Sequence, residues 1–219
     1  MAGQFDEARG RLAAARLYVI SSDDDPDRQA AVLCGAIDGG AGIVQLRNKL
    51  AAPGQLLDAA RRVAAHARAH AALFIVNDTP DLVEASGAHG VHVGQDDGAL
   101  SEVRARLPRG ALVGRSTHSL VQATEAVADG ADYIGVGPVH ATPTKPGRPA
   151  VGLGLLREVV PVVEVPWFAI GGLDAANLAD ALAAGATRVA VVRAVAGAAD
   201  PAAAAAELSA ILRAAAVPA

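Results

Sequence analysis

The feature that most constrains this chain is an eightfold alternation of short apolar runs with longer helix-forming segments. Short continuous runs rich in Val, Ile and Leu are typical of parallel strands that are buried on both faces. The eight predicted strands are Leu17–Ile20, Ile43–Leu46, Leu73–Val76, Gly90–Val93, Leu112–Gly114, Tyr133–Val136, Trp167–Ile170 and Arg188–Val192. Strong breaks such as Gly39–Gly40 and Gly171–Gly172 separate the units.

The segments between these runs have the composition and spacing of amphipathic helices. They are Gln29–Ile37, Gly54–His70, Pro80–Ser86, Gly98–Leu107, Leu120–Asp129, Leu153–Val160, Ala175–Ala183 and Ala202–Ala215. About eight βα units of roughly 25 residues are what a closed (β/α)₈ barrel needs. We therefore predict an α/β protein with a single TIM-barrel catalytic domain over residues 17–219, preceded by an N-terminal extension over residues 1–16 that we predict to be helical.

An open doubly wound sheet is the competing architecture. It predicts a Gly-rich phosphate turn after the first strand. The first strand is instead followed by Ser21–Pro26, which carries three consecutive aspartates. A phosphate would be repelled there, so the barrel is favoured.

Charge and hydropathy limit the partners. The chain of 219 residues has a net charge of −4, and no Lys/Arg cluster marks a nucleic-acid-binding face. The first sixteen residues carry five charged side chains, and no later apolar run is long enough to cross a bilayer. We expect a cytoplasmic protein with small-molecule partners, no nucleic acid and no membrane; a homo-oligomer stays open.

A cation clamp is predicted after the second strand. In barrels of this kind, active residues lie at the carboxyl ends of strands and in the loops that follow. Gln45, Arg47 and Lys49 occupy alternate positions, which point the same way if the segment is extended. Such a row of polar and charged side chains is unfavourable in an apolar core, but it is well suited to bind an anion. The competing interpretation is a ring of salt bridges inside the barrel.

Carboxylates follow the next two strands. Asn77 and Asp78 come after the third strand, and Asp97 ends the run Gln95–Asp97 after the fourth. Carboxylates from adjacent strand ends can share Mg²⁺, which takes one or two of them and completes its shell with water and phosphate oxygens. The competing interpretation is that Asp78 and Asp97 each cap the helix that follows.

Hydroxyls and a further cation follow the fifth and sixth strands. Ser116 lies near a strand end and can donate to a phosphate oxygen, whereas Ser119 is placed to cap the next helix. The loop Gly137–Pro149 is long for a βα connection and carries Thr142, Thr144 and Lys145. Its position predicts a lid over the site.

A second anion site is predicted after strands seven and eight. Loops at these two positions commonly bind phosphate through backbone N–H groups. Gly172 allows close approach of the backbone, and Val192–Arg193 follow the last strand. A metal site at His89 and His92 lacks a third ligand at suitable spacing. Two anion regions predict two phosphorylated substrates, one of them a diphosphate.

Seven motifs in order resemble those of the thiamine phosphate synthase family, from Leu17 to Ala196. They are QLRNK, VND, GVHVGQDD, GRSTHS, GPVHATPTKPG, AIGGL and VAVV. The resemblance implies a Mg²⁺-dependent transferase. It would join a 4-amino-2-methyl-5-(diphosphooxymethyl)pyrimidine to a thiazole phosphate by dissociative substitution, releasing pyrophosphate.

The resemblance also implies roles for individual residues. The implied ligands of the pyrimidine diphosphate are Gln45, Arg47, Lys49, Asn77, Ser116 and Lys145, of which Arg47, Lys49, Ser116 and Lys145 form the catalytic set. The implied ligands of the thiazole phosphate are Thr142, Thr144, Gly172, Val192 and Arg193. Asp78 and Asp97 would ligate Mg²⁺. The chain departs from the family at Asn48, where Glu is usual, at Thr79, where Arg is frequent, and at Arg193, where Ser is frequent.

Two other functions compete with the synthase. A thiazole tautomerase is a paralogous barrel that needs acid–base groups, for which His118 is the natural candidate. A non-catalytic phosphate-sensing barrel is the other. Neither needs Asp78, Asp97 and Lys145 together, so the combination favours the synthase.

Overall fold

Eight parallel strands close into a barrel in their order along the chain, as the alternating pattern predicts. The computed structural model describes residues 2–142 and 149–215. The strands are β1 Leu17–Ile20, β2 Ile43–Leu46, β3 Leu73–Asn77, β4 Gly90–Val93, β5 Leu112–Thr117, β6 Tyr133–Val136, β7 Trp167–Ile170 and β8 Val189–Val191. The predicted (β/α)₈ barrel is therefore confirmed.

Helices separate the strands and cover the outside of the barrel. They are α1 Ala2–Ala14, α2 Pro26–Asp38, α3 Pro53–Ala69, α4 Asp81–Ser86, α5 Leu100–Ala105, α6 Leu120–Ala128, α7 Gly152–Val159, α8 Leu178–Ala183, α9 Arg193–Ala196 and α10 Pro201–Ala214. No helix in residues 2–142 and 149–215 is long and apolar enough to cross a membrane.

The core has two layers, because side chains alternate across each strand. Tyr18, Ile75 and Phe168 belong to the cluster inside the barrel. Their neighbours Val19 and Phe74 belong to the larger cluster between the sheet and the helices. Both faces of the strands are thus covered, which is why most strand positions are apolar.

Helix α1 packs against the amino-terminal end of the barrel, a role that the sequence did not indicate. Ala8, Leu12 and Ala15 are buried in the interior cluster with strand residues. Arg9 donates to Asp132 at 3.1 Å, which ties the helix to the loop before β6. The segment therefore completes the core at the floor of the barrel.

A buried histidine lies beside β4. His89 is 1% exposed, and its Nδ1 accepts the N–H of Phe74 at 3.1 Å. Burial, together with the charges of Arg11 and Arg68, lowers the pKa of His89 to about 4. His89 is therefore a neutral core residue that accepts a backbone N–H of β3.

Several elements differ from the sequence expectation. Strand β5 continues to Thr117, three residues beyond the predicted end. Helix α8 begins at Leu178 rather than Ala175, because Asp174 accepts the N–H groups of Ala176 and Asn177 and holds a turn there. The short helix α9 after β8 was not predicted.

Candidate active site

One cavity of about 620 Å³ lies at the carboxyl ends of the strands, and all eight strands or their following loops contribute to its wall. Eleven of the thirteen predicted site residues line it: Gln45, Arg47, Lys49, Asn77, Asp78, Asp97, Ser116, Thr142, Gly172, Val192 and Arg193. The other two, Thr144 and Lys145, lie outside the described residues. Barrel closure thus brings together residues that are distant in sequence.

The three residues of the predicted clamp all line the cavity, but the strand covers only the first of them. Strand β2 ends at Leu46, so only Gln45 lies within it. Gln45 is 2% exposed and its Nε2 donates to the hydroxyl of Tyr18 inside the barrel. Arg47 and Lys49 follow in the loop. Both cations line the cavity together with Gln45, and their role as an anion clamp stays a prediction.

Asp23 orients the clamp, and sequence reasoning missed it. Its Oδ2 is 2.7 Å from Nη1 of Arg47, and its Oδ1 accepts the backbone N–H of Lys49 at 2.9 Å. Partial burial acts to raise the pKa of Asp23. The hydrogen bonds from Lys49 and Arg47, with their charges, outweigh it and lower the pKa. The acidic loop after β1 thus fixes the cations rather than merely repelling anions.

Asn48, where the resembling family usually has Glu, holds the turn from Asn48 to Ala51, which contains Lys49. Its Nδ2 donates to Asp24 O and Gln29 Oε1, both at 2.8 Å. Its Oδ1 accepts the N–H groups of Leu50 and Ala51, also at 2.8 Å. The amide both donates and accepts here, which a carboxylate could not do.

Asp78 and Asp97 form a carboxylate pair beside Lys49. Nζ of Lys49 is 3.4 Å from Oδ2 of Asp78. Asp78 has φ +53°, in the left-handed region, and Asp97 accepts the N–H of Gly94 at 2.6 Å. Burial, then the charge and hydrogen bond of Asp97, raise the pKa of Asp78, against the smaller opposing effects of Lys49 and Asn77.

The capping alternative does not hold for either aspartate. Helix α4 is preceded by Pro80 and α5 by Ala99, and neither helix has a side-chain cap. The two carboxylates instead face one another at the ends of adjacent strands. Oxygen donors in this arrangement fit a hard divalent cation such as Mg²⁺. Ser119, by contrast, does cap α6 by accepting the N–H of Gln122.

A chain of hydrogen bonds crosses the barrel interior and joins two predicted site residues. From Gln45 it runs to Tyr18; the Tyr18 and Tyr133 hydroxyls are 3.1 Å apart. The Tyr133 hydroxyl is 3.3 Å from Nδ1 of His92, whose Nε2 is 3.0 Å from the hydroxyl of Ser116. Burial raises the pKa of both tyrosines, so both hydroxyls keep their protons.

The opposite wall is formed by the loops after β7 and β8. Gly172 has φ +65°, and a Cβ there would lie 2.8 Å from the Cβ of His140. Only glycine therefore fits this position without rearrangement. Asn177 Nδ2 donates to Gly172 O at 2.8 Å and holds the loop. Arg193 is exposed at the rim and begins α9, whose first turn has no side-chain cap.

His118, the candidate acid–base group of the alternative function, also lines the cavity. Its Nδ1 is hydrogen-bonded to the carbonyl oxygen of Gly137. Because a carbonyl only accepts, Nδ1 carries the proton. Its backbone N–H donates to Gln122 Oε1 at 2.8 Å. The Nδ1 contact orients the ring, and the backbone contact holds the start of the following turn.

Comparison with known proteins assigns the family. A sequence model described as thiamine monophosphate synthase matches residues 17–195. The chain belongs to this family. The thiamine-phosphate synthase of Mycolicibacterium gilvum is 46% identical over 216 residues, covering 92% of this chain and 89% of its own length. The resemblance in the seven motifs is thereby confirmed.

Further similarities extend the comparison. The thiamine-phosphate synthase of Gloeobacter violaceus is 50% identical over 195 residues, or 89% of this chain, but the chain spans only 57% of that relative's length. A solved thiamine phosphate pyrophosphorylase from Pyrococcus furiosus has a TM-score of 0.85 and 33% identity, and the similarity covers 96% of this chain and all of that one. The family likeness therefore covers the barrel and the cavity.

Proposed function

We propose that this family member is a thiamine-phosphate synthase that couples a pyrimidine methyl diphosphate to a thiazole phosphate. The observation that carries the proposal is the division of one cavity into two unlike walls. The wall from β2 to β5 holds two cations and a carboxylate pair. The wall from β7 and β8 offers backbone N–H groups and glycine. Such a cavity suits one diphosphate and one monophosphate.

Arg47 and Lys49 bind the diphosphate in this proposal. Asp23 holds the Arg47 guanidinium and the Lys49 backbone in place before substrate arrives. Cations fixed in this way need no reorganisation as charge builds on the departing group, which is the main source of electrostatic stabilisation. Gln45 and Asn77 are the other proposed ligands of the pyrimidine diphosphate on this wall of the cavity.

Asp78 and Asp97 would hold Mg²⁺. The ion, when bound, would neutralise charge on the diphosphate oxygens. The fit rests on the donor set: two facing carboxylates, one with a raised pKa, are more stable with a cation beside them. Lys49 lies close enough to Asp78 to serve both the carboxylate and the substrate.

Ser116 donates its hydroxyl proton to the substrate in this proposal. The hydrogen-bonded chain from Gln45 to Ser116 orients that proton. One arrangement satisfies every link: Gln45 donates to Tyr18, Tyr18 to Tyr133, Tyr133 to His92 Nδ1, and His92 Nε2 to Ser116 Oγ. Ser116 then accepts from His92 and keeps its own proton to donate to a substrate oxygen.

The thiazole phosphate occupies the opposite wall in this proposal. Loops after the last two strands of a (β/α)₈ barrel, with a short extra helix, commonly form a phosphate site. Gly172 and the backbone at Val192 and Arg193 would donate N–H groups there, and Thr142 and Thr144 would add hydroxyl groups. The exposed Arg193 guanidinium adds a charge that can reach the phosphate.

The proposed reaction breaks one bond and forms one. The bond between the pyrimidine methylene carbon and the diphosphate oxygen breaks, and its electron pair leaves with pyrophosphate. The thiazole nitrogen then donates its lone pair to the methylene carbon. No protein nucleophile is needed, so the residues bind, align and exclude water. Lys145 on the loop Gly137–Pro149 would close over the leaving group.

Pyrophosphate release with both substrates and Mg²⁺ tests the proposal. We expect release only when the pyrimidine diphosphate, the thiazole phosphate and Mg²⁺ are all present. A tautomerase would instead isomerise the thiazole phosphate alone and release nothing, and a sensor would bind without turnover. The partners in this proposal are the two small molecules, and the expected location is the cytoplasm.

A further inference from the structure

A cluster of three side chains lies on the side of the barrel opposite the cavity, where α2 and α3 end. Asp38 is the last residue of α2, His66 lies in the last turn of α3, and His70 follows it. Their donor atoms all lie within 4.8 Å of one another. Among the His, Cys, Asp and Glu side chains of residues 2–142 and 149–215, no other group of three or more meets this test.

The carboxylate of Asp38 reaches both imidazoles. Its Oδ1 is 2.7 Å from Nε2 of His66 and 3.7 Å from Nε2 of His70. The two rings are stacked, with centroids 4.2 Å apart, because residues four apart share one face of a helix. Both Nε2 atoms therefore point to the same side, towards α2.

The tautomer of His70 leaves its Nε2 ready to act as a ligand. Nδ1 of His70 is 2.9 Å from the carbonyl oxygen of His66. A carbonyl only accepts, so Nδ1 carries the proton and the neutral ring has its lone pair on Nε2. Histidines that bind metals commonly donate their other N–H to a carbonyl in this way, which fixes the ring.

The local field favours a cation. The carboxyl ends of α2 and α3 converge here, and each helix end carries partial negative charge. Asp38 adds a full negative charge at a helix end where an anion is unfavourable. The side chains are 50%, 28% and 46% exposed for Asp38, His66 and His70, so an ion can reach them from solvent.

We propose that Asp38, His66 and His70 form a binding site for a divalent transition metal of the Zn²⁺ type, linking α2 to α3. Tetrahedral Zn²⁺ with ligand bonds of about 2.0–2.1 Å places donor atoms about 3.3 Å apart. The observed 2.7 Å and 3.7 Å bracket that spacing. Two imidazole nitrogens and one carboxylate oxygen occupy three positions, and water takes the fourth.

The donor set separates this site from the carboxylate pair in the cavity. Imidazole suits Zn²⁺, Cu²⁺ and Ni²⁺, whereas Mg²⁺ prefers oxygen ligands in an octahedron. Metal at this cluster holds two adjacent helices together and touches no cavity residue. It therefore stabilises the folded chain by binding linkage without taking part in the reaction.

Equilibrium dialysis of the tag-free full chain with Zn²⁺, in an excess of Mg²⁺ that occupies the cavity pair, tests the proposal. We expect one Zn²⁺ per chain that Mg²⁺ does not displace. His66→Ala, His70→Ala and Asp38→Asn should each weaken this binding at least about tenfold. Asp58→Asn is the matched control, because it removes an exposed carboxylate from α3, the helix of His66. This variant should bind Zn²⁺ as the parent does.

Thermal unfolding supplies a second readout on the same proteins. Zn²⁺ should raise the Tm of the parent and of Asp58→Asn but not that of His66→Ala or His70→Ala. Circular dichroism without metal shows whether each variant is folded. Absence of Mg²⁺-resistant Zn²⁺ binding in the parent would overturn the proposal. Equal affinity in the histidine variants and the parent would overturn it as well.

Discussion

The hydrogen-bonded chain through the barrel can be broken at its centre by Tyr133→Phe. This change removes one hydroxyl, keeps the ring and its edge contacts with Tyr18 and Phe168, and creates almost no cavity. The hydroxyl of Tyr133 is fully buried between the Tyr18 hydroxyl and Nδ1 of His92. Its loss removes one hydrogen-bond partner from each of these two buried groups.

The magnitude follows from the burial. Leaving a buried polar group unpaired costs about 1–3 kcal/mol. In a chain of this size, each kcal/mol lowers the Tm by about 2–4 °C. We therefore expect the Tm of Tyr133→Phe to fall by about 2–12 °C, as measured by circular dichroism.

A kinetic effect should accompany the loss of stability. With Tyr133 removed, His92 no longer has that contact to orient it towards Ser116. The loss of one hydrogen bond, about 1 kcal/mol, corresponds to about fivefold in kcat/KM for the pyrimidine diphosphate. Pyrophosphate release at varied diphosphate concentration measures it.

Thr117→Val is the matched control. It removes a buried hydroxyl that donates to Gly135 O at 2.9 Å but lies outside the interior chain. It should lower the Tm while leaving kcat/KM near that of the parent. An unchanged Tm in Tyr133→Phe, or an equal kinetic loss in both variants, would refute the reasoning.

Four further predictions follow from the site and the core. EDTA should abolish pyrophosphate release, and Asp78→Asn should sharply raise the Mg²⁺ concentration needed; an unchanged Mg²⁺ titration would remove Asp78 from the metal site. Asp23→Asn should lower kcat more than it raises KM for the diphosphate, because a neutral amide holds Arg47 less firmly and the cation must then reorganise as charge builds on the leaving group; steady-state kinetics decide this. Lys145→Ala should lower kcat by about 10²–10³, the effect of losing one preorganised donor, with little change in KM for the thiazole phosphate; a kcat near that of the parent would contradict it. Since the folded state keeps His89 neutral, stability should fall as pH drops from about 6.5 to about 4 and level off below; urea unfolding at several pH values should show a shallower decline in His89→Asn.

The sequence by itself determined the barrel and its strands. Runs such as Leu17–Ile20 and Ile43–Leu46 have the observed bounds, because a parallel strand covered on both faces is apolar at most positions; Gln45 is the polar exception in the second run. The polar residues at the strand ends could be identified for the same reason. A cation or carboxylate beside a buried strand is costly in a core and is expected at the mouth of a barrel.

Contacts between elements distant in sequence were decided only by the tertiary structure. The ion pair of Asp23 with Arg47 and the closure of the barrel floor by α1 depend on which loops and helices become neighbours. The Gln45–Ser116 chain depends on how far apart β2 and β5 lie across a closed barrel. A local pattern states which face of an element is buried, but not which residue lies opposite. That pairing is set by the curvature and register of the whole sheet.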